Sequence, residues 1–63
     1  MTVYEKLSKQ IECAKTSIMP RDNLHMAKGK IDMAYELKSI TIEEFLALDR
    51  ECVANGINNP KYF

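Results

Sequence analysis

The chain has no tryptophan, one histidine, two glycines, two prolines and two cysteines in 63 residues, and its nine basic residues cancel its nine acidic ones. Each shortage removes a class of protein. With 46% of residues hydrophobic and so few Gly and Pro, the chain is too apolar and too poor in breakers to be disordered. No C-x-x-C pair occurs, and Cys13, His25 and Cys52 are too scattered for zinc-ligand spacing. Zero formal charge, with Lys6, Lys9 and Lys15 interleaved with Glu5 and Glu12, denies the basic stripe of a nucleic-acid binder. No run approaches the roughly 20 apolar residues of a membrane span. No basic segment followed by an apolar stretch opens the chain as a secretory signal does. These readings predict a cytoplasmic protein without membrane contact, its two thiols reduced and packed as small apolar residues.

What is present is helical patterning at a length that allows one domain, residues 1–63. Chains below roughly 70–80 residues bury a small share of their surface and call on staples, oligomerisation or very regular helix packing. The composition points to the last two, and the near-zero net charge lowers the barrier to self-association. The predicted class is all-α, with three short helices over about 2–17, 21–38 and 42–54, an ordered C-terminal tail and assembly as a homo-oligomer, a dimer first.

The helix ends carry most of the signal. Thr2-Val3-Tyr4-Glu5 has the S/T-x-x-E form of a capping box. Behind it Tyr4, Leu7, Ile11, Ala14 and Ile18 recur at helical spacing. Pro20 stops that helix and either opens the next or precedes an N-cap at Asp22. In the second helix Leu24, Ala27, Ile31 and Ala34 form one stripe, and Met26, Met33, Leu37 and Ile40 a second beside it. Two stripes make a wider apolar face than one antiparallel partner covers. Gly29, in mid-helix, marks either a close helix crossing or simple tolerance of a cost of about 1 kcal/mol.

Residues 39–48, S-I-T-I-E-E-F-L-A-L, specify the third helix at several levels. Thr41 and Glu44 form a second capping box, Ile40 and Phe45 are placed for a hydrophobic staple, and Glu43 and Glu44 face the positive end of the helix dipole. Asn55-Gly56-Ile57 reads as a C-cap with a left-handed glycine and an apolar Schellman contact. The tail Lys61-Tyr62-Phe63 ends on two aromatics, which are expected to fold back onto the body.

Catalytic chemistry finds little to work with. Nothing beside Cys13 or Cys52 would depress a thiol pKa, and no Gly-rich turn offers an oxyanion hole. Ala27-Lys28-Gly29-Lys30 lacks the first glycine and the Ser/Thr of a phosphate loop. The expectation is a protein that is not an enzyme and takes no cofactor or metal. Helix two is the one candidate reader for a helix-turn-helix DNA-binding regulator, through Arg21, Asn23, Lys28 and Lys30, because Glu43 and Glu44 open helix three. Met26 and Met33, seven apart, either fill the core or form an adaptable binding surface. The predicted protein interface is Met26, Ile31, Met33, Tyr35 and Leu37, with Tyr62 and Phe63 as a second patch.

Lys30-Ile31-Asp32-Met33-Ala34-Tyr35-Glu36-Leu37 followed by Ile40-Thr41-Ile42-Glu43-Glu44-Phe45 resembles the SHOCT-type module, a helix, a turn of I-T-x-E-E-F form and a second helix. The matching residues are Ile40, Thr41, Glu43, Glu44 and Phe45, within about residues 30–54. The chain departs from that pattern in having no Gly ahead of Ile40-Thr41 and in carrying the tail from Asn58 onward. The resemblance implies oligomerisation and protein binding rather than catalysis. The size, the neutral charge and the ending Asn-Gly-Ile-Asn-Asn-Pro-Lys-Tyr-Phe are similar to small helical proteins of phages and prophages of Gram-positive bacteria. That resemblance implies an accessory factor that binds and blocks a host protein.

Overall fold

A computed structural model describes residues 1–62. Among them the chain is all-α: α1 (Val3–Lys15), α2 (Pro20–Glu36) and α3 (Ile42–Asp49), the last running on without a break into a π-helical segment (Arg50–Ile57) and then a 3₁₀ turn (Pro60–Tyr62).

Both capping boxes form as their spacing requires. Thr2 N–H donates to Glu5 Oε1 at 3.0 Å and Glu5 N–H to Thr2 Oγ1 at 3.1 Å. At α3 the same exchange joins Thr41 and Glu44 at 2.9 and 3.1 Å. Four otherwise orphaned amides are thus satisfied by two Thr–Glu pairs. α1 ends at Lys15, two residues before the predicted boundary, because Thr16 and Ser17 hydroxyls donate to the Cys13 and Ala14 carbonyls at 3.2 and 2.7 Å. Asn23 Nδ2 then donates to Ser17 Oγ at 2.8 Å, tying α2 back to the turn. Pro20 is the first residue of α2 and Met19 its N-cap, so Asp22 lies in the first turn and does not cap.

α2 closes on a Schellman motif that the sequence does not advertise. Ser39 N–H donates to Ala34 O at 2.8 Å and Lys38 N–H to Tyr35 O at 3.0 Å. The left-handed residue between them is Lys38, φ 58°, where glycine would be the usual occupant. The turn carries Ile40 into the core.

The core is Leu7, Ile11 and Ala14 of α1, Leu24, Ala27, Ile31 and Ala34 of α2, and Ile40, Leu48, Cys52 and Ile57 from the last third. Tyr4, Phe45 and Val53 pack on its rim. The radius of gyration, 10.8 Å, matches the roughly 10.6 Å of a compact 63-residue domain, so one chain closes its own core.

The end of the third helix corrects the sequence expectation. Gly56 is neither a C-cap nor left-handed: among the described residues no glycine has positive φ, and the helix continues to Ile57. The reason is packing. A Cβ on Gly56 would stand 3.0 and 3.3 Å from the two Leu24 methyls and 3.1 Å from Glu51 O. Gly56 is where the last helix lies against α2, and the wider π turns, with Asn58 N–H reaching Val53 O at 2.8 Å, bring Cys52, Gly56 and Ile57 inward together. Gly29 is the opposite case, with nothing within 4 Å of an added Cβ. Cys13, read as a packing residue, is exposed, whereas Cys52 is buried.

These three backbone sites separate in a denaturation experiment. Gly56→Ala is expected to cost about 1–3 kcal/mol by overpacking against Leu24. Gly29→Ala should raise stability by up to about 1 kcal/mol through helix propensity. Lys38→Gly should raise it by about 0.5–1 kcal/mol by relieving the left-handed backbone. Urea midpoints of the three variants check the order; Gly56→Ala as stable as the parent would refute the close-approach account.

Candidate interaction surface

The predicted interface residues do not form one patch, because α2 is packed on two sides. Its centre line, including Ile31, faces the core. Ile31 is 0% exposed, so its assignment to a protein interface is corrected: its side chain is filled space inside the monomer. Met26, Met33 and Leu37 lie on one flank and remain 63%, 54% and 69% exposed. Tyr35 lies on the other flank, 40% exposed, its ring stacked on Phe45 at a centroid distance of 4.5 Å and an interplanar angle of 24°. Tyr35 therefore helps to join α2 to α3. Tyr62 is half-buried at the opposite end of α2, beside Ile18, Met19 and Pro20. Phe63, its predicted companion, lies outside the described residues.

Two lysines act as clamps between elements. Lys28 Nζ stands 2.6 Å from Asp32 Oδ1 and 2.8 Å from Asp49 Oδ1, and 5.6 Å from the Phe45 ring centre. The Asp49 contact is an ion pair without aligned hydrogen-bond geometry, leaving that buried oxygen to be compensated by the neighbouring charge. The hydrogen bond to Asp32, with the short ion pair to Asp49, holds the Lys28 ammonium above its ordinary pKa, against the opposing effect of burial.

Lys15 joins α1 to the π segment through Glu51 at 3.0 Å, with Glu12 at 3.5 Å and the Tyr62 ring centre at 5.7 Å. Burial disfavours its charge, but the hydrogen bond and charge of Glu51 with the charge of Glu12 outweigh that, and its pKa is raised. Glu51 is correspondingly held below the ordinary carboxylate value by Lys15 first and Asn55 second. The folded tail is part of this clamp, since Tyr62 covers the Lys15 ammonium.

Between α1 and α2, on the flank of Met26, runs an open groove of about 460 Å³. Cys13, Ala14, Met26 and Ala27 form much of its wall, a feature that single-helix periodicity does not reveal because it belongs to two helices at once. Lys30 borders this groove while Lys28 faces Asp49, so the two basic residues of the candidate DNA reader stand on opposite flanks of α2. Cys52 donates to Leu24 O at 3.0 Å, and burial, then the Asp49 charge, pushes its pKa up. Among the described residues no group of three His, Cys, Asp or Glu could hold a metal, and no helix is long and apolar enough to cross a membrane.

No protein-family model, curated protein or solved structure matches the chain.

The clamps set the pH dependence of stability. Glu5, bonded to the Thr2 backbone and hydroxyl, and Glu51 both titrate below the ordinary 4.5. Their contribution is complete above about pH 4.5 and lost as pH falls through the depressed folded values. Lys15 and Lys28 titrate above the ordinary 10.5, so their contribution is complete below that pH and lost as pH rises through the folded values. Denaturation midpoints against pH should therefore show a plateau with falling arms at both ends. Glu51→Gln should lower the plateau by roughly 0.5–1 kcal/mol and flatten the acidic arm; an unchanged acidic arm would refute the clamp.

Proposed function

We propose that the protein is a non-enzymatic protein–protein interaction module that works through the Met26–Met33–Leu37 flank of α2. The observation that carries this reading is that these three large apolar side chains stay more than half exposed on a domain whose core is already closed. An apolar strip left over after folding is a surface with something to gain from a partner. Methionine suits such a surface because its side chain repacks around different shapes.

Self-association is the first form of contact to expect. Full burial of one Met or Leu returns about 1.5–3 kcal/mol, and these three are already partly covered. Association costs an estimated 4–15 kcal/mol. Three side chains alone therefore support a concentration-dependent dimer rather than a permanent one. The resemblances of the turn to the SHOCT-type module and of the whole chain to small phage and prophage proteins point the same way. On that analogy the setting is the bacterial cytoplasm, and the partner beyond a second copy is a host protein that the factor blocks. The alternative of a helix-turn-helix DNA-binding regulator has less support, because Lys28 is held by two aspartates and Glu43 and Glu44 open α3.

Light scattering over at least a tenfold concentration range tests the proposal. The mass should rise from 7.3 kDa toward twice that value, and Met33→Asp with Leu37→Asp should hold the protein as a folded monomer. A parent mass fixed at 7.3 kDa throughout removes self-association from the reading. Loss of helical circular dichroism in the double variant would place those side chains in the core instead.

A further inference from the structure

Five of the seven lysines of the chain fall into two groups with different surroundings. Lys15 and Lys28 are each shared between two carboxylates and sit against an aromatic ring. Lys6, Lys9 and Lys30 make no ion pair or side-chain hydrogen bond among the described residues, and all three border the α1–α2 groove. None of the nine acidic residues of the chain lines that groove. The spacing of the sequence accounts for this: Lys6, Lys9 and Cys13 share one face of α1, and Met26 and Lys30 share one face of α2. Glu5 and Glu12 flank Lys9 on α1, four before it and three after it, but neither carboxylate lines the groove, and among the described residues neither closes an ion pair with Lys9. A chain of zero net charge thus holds a cationic rim around an apolar wall.

We infer that this groove binds an acidic amphipathic helix of a partner protein, the apolar stripe of that helix lying on Met26, Cys13 and Ala27 and its carboxylates meeting Lys6, Lys9 and Lys30. The inference rests on the protein-interaction reading above and specifies the partner's chemistry. Two features select this occupant. A second copy can meet the Met33 and Leu37 end of the flank, which lies outside the groove lining, but docking groove to groove would set three unpaired ammonium groups against three others, a like-charge arrangement that costs affinity. A nucleic acid would leave the apolar wall unused, and the groove offers it no arginine and no aromatic stacking platform. A helix laid in a groove uses both the wall and the rim, through anchors at i, i+3, i+4 and i+7. The volume, about 460 Å³, corresponds to roughly fifteen waters at about 30 Å³ each, enough for several side chains from one face of a short helix.

The test uses the full chain and a fluorescein-labelled amphipathic peptide with Leu at i, i+3, i+4 and i+7 and Glu on its flanks. Its controls are the same peptide with Lys in place of Glu, and a single-stranded oligonucleotide. The acidic peptide should bind at least tenfold more tightly than the basic one, and more weakly as salt rises. Lys6→Glu, Lys9→Glu and Lys30→Glu together should reverse that preference; the corresponding Gln variant, should the Glu protein lose helical circular dichroism, should abolish it. Bound acidic peptide should also slow alkylation of the exposed Cys13, which lies in the groove wall. Equal binding of the two peptides, absence of binding by both, or insensitivity to the lysine variants overturns the inference. So does an oligonucleotide that binds as tightly as the acidic peptide and is lost in the same variants, which would make the groove a phosphate site. Failure of the broader reading looks different: a parent protein monomeric at every concentration bears on self-association alone, while a protein that dimerises yet ignores the peptides refutes only the acidic-helix assignment.

Discussion

The contact between Leu24 and Gly56 sets how the rest of the chain can be arranged. Leu24 has no exposed surface, and its methyls lie where any side chain at residue 56 would begin. One turn earlier, the Cys52 thiol donates a hydrogen bond to the carbonyl of the same Leu24 at 3.0 Å. A side chain and a backbone oxygen of α2 are thus both engaged by the last helix, at adjacent points. An ordinary α-helical continuation of α3 would place residues 52, 56 and 57 differently about the axis. The π segment widens the turn, and Cys52, Gly56 and Ile57 all come to face inward. π geometry is uncommon and is seen chiefly where a particular side-chain placement requires it; here the placement is the closure of the core.

Around that crossing, charge is divided between structure and surface. Lys15 and Lys28 each cross an element boundary and are covered by a ring, so their carboxylate partners join α1 to the π segment and α2 to α3. The remaining lysines of the groove are left to solvent. A formal charge of zero says nothing about this division, since it sums paired and unpaired groups alike. The net charge that governs the long-range field is zero, while the lining of the α1–α2 groove carries Lys6, Lys9 and Lys30 and no carboxylate, a difference felt only within a Debye length.

The parts of the fold legible from sequence were those decided within a few residues. Thr2 with Glu5 and Thr41 with Glu44 satisfy amides three positions away, so the pattern and the structure are nearly the same statement. The stripe Leu24, Ala27, Ile31, Ala34 was equally plain, and all four residues are buried. Which side of that stripe would stay open was not, because Met26 and Tyr35 flank it symmetrically in sequence and only the positions of α1 and α3 distinguish them. Ile31 belongs to the centre of that stripe, and a wide apolar face read as shared with a second copy is in fact covered there within the monomer. Gly56 was read from its local company, Asn before it and Ile after it, when its role is to admit Leu24 from 32 positions away. Lys38 gave no signal at all, since a lysine in the left-handed region is tolerated there only because the Schellman hydrogen bonds and the burial of Ile40 hold the turn. The groove, built from two helices, could not be read from the periodicity of either.

The two thiols have a consequence of their own. Cys13 meets solvent in the native state, while Cys52 is sealed beneath the crossing of the last helix on α2. Any reagent that modifies Cys52 must wait for that crossing to open, so its labelling rate reports the free energy of opening, as amide exchange does. Cys13 in the same molecule supplies, for comparison, the rate of a thiol already open to solvent. In a chain without tryptophan, whose unfolding gives no indole fluorescence change, the ratio of the two labels is a native clock for the departure of one helix.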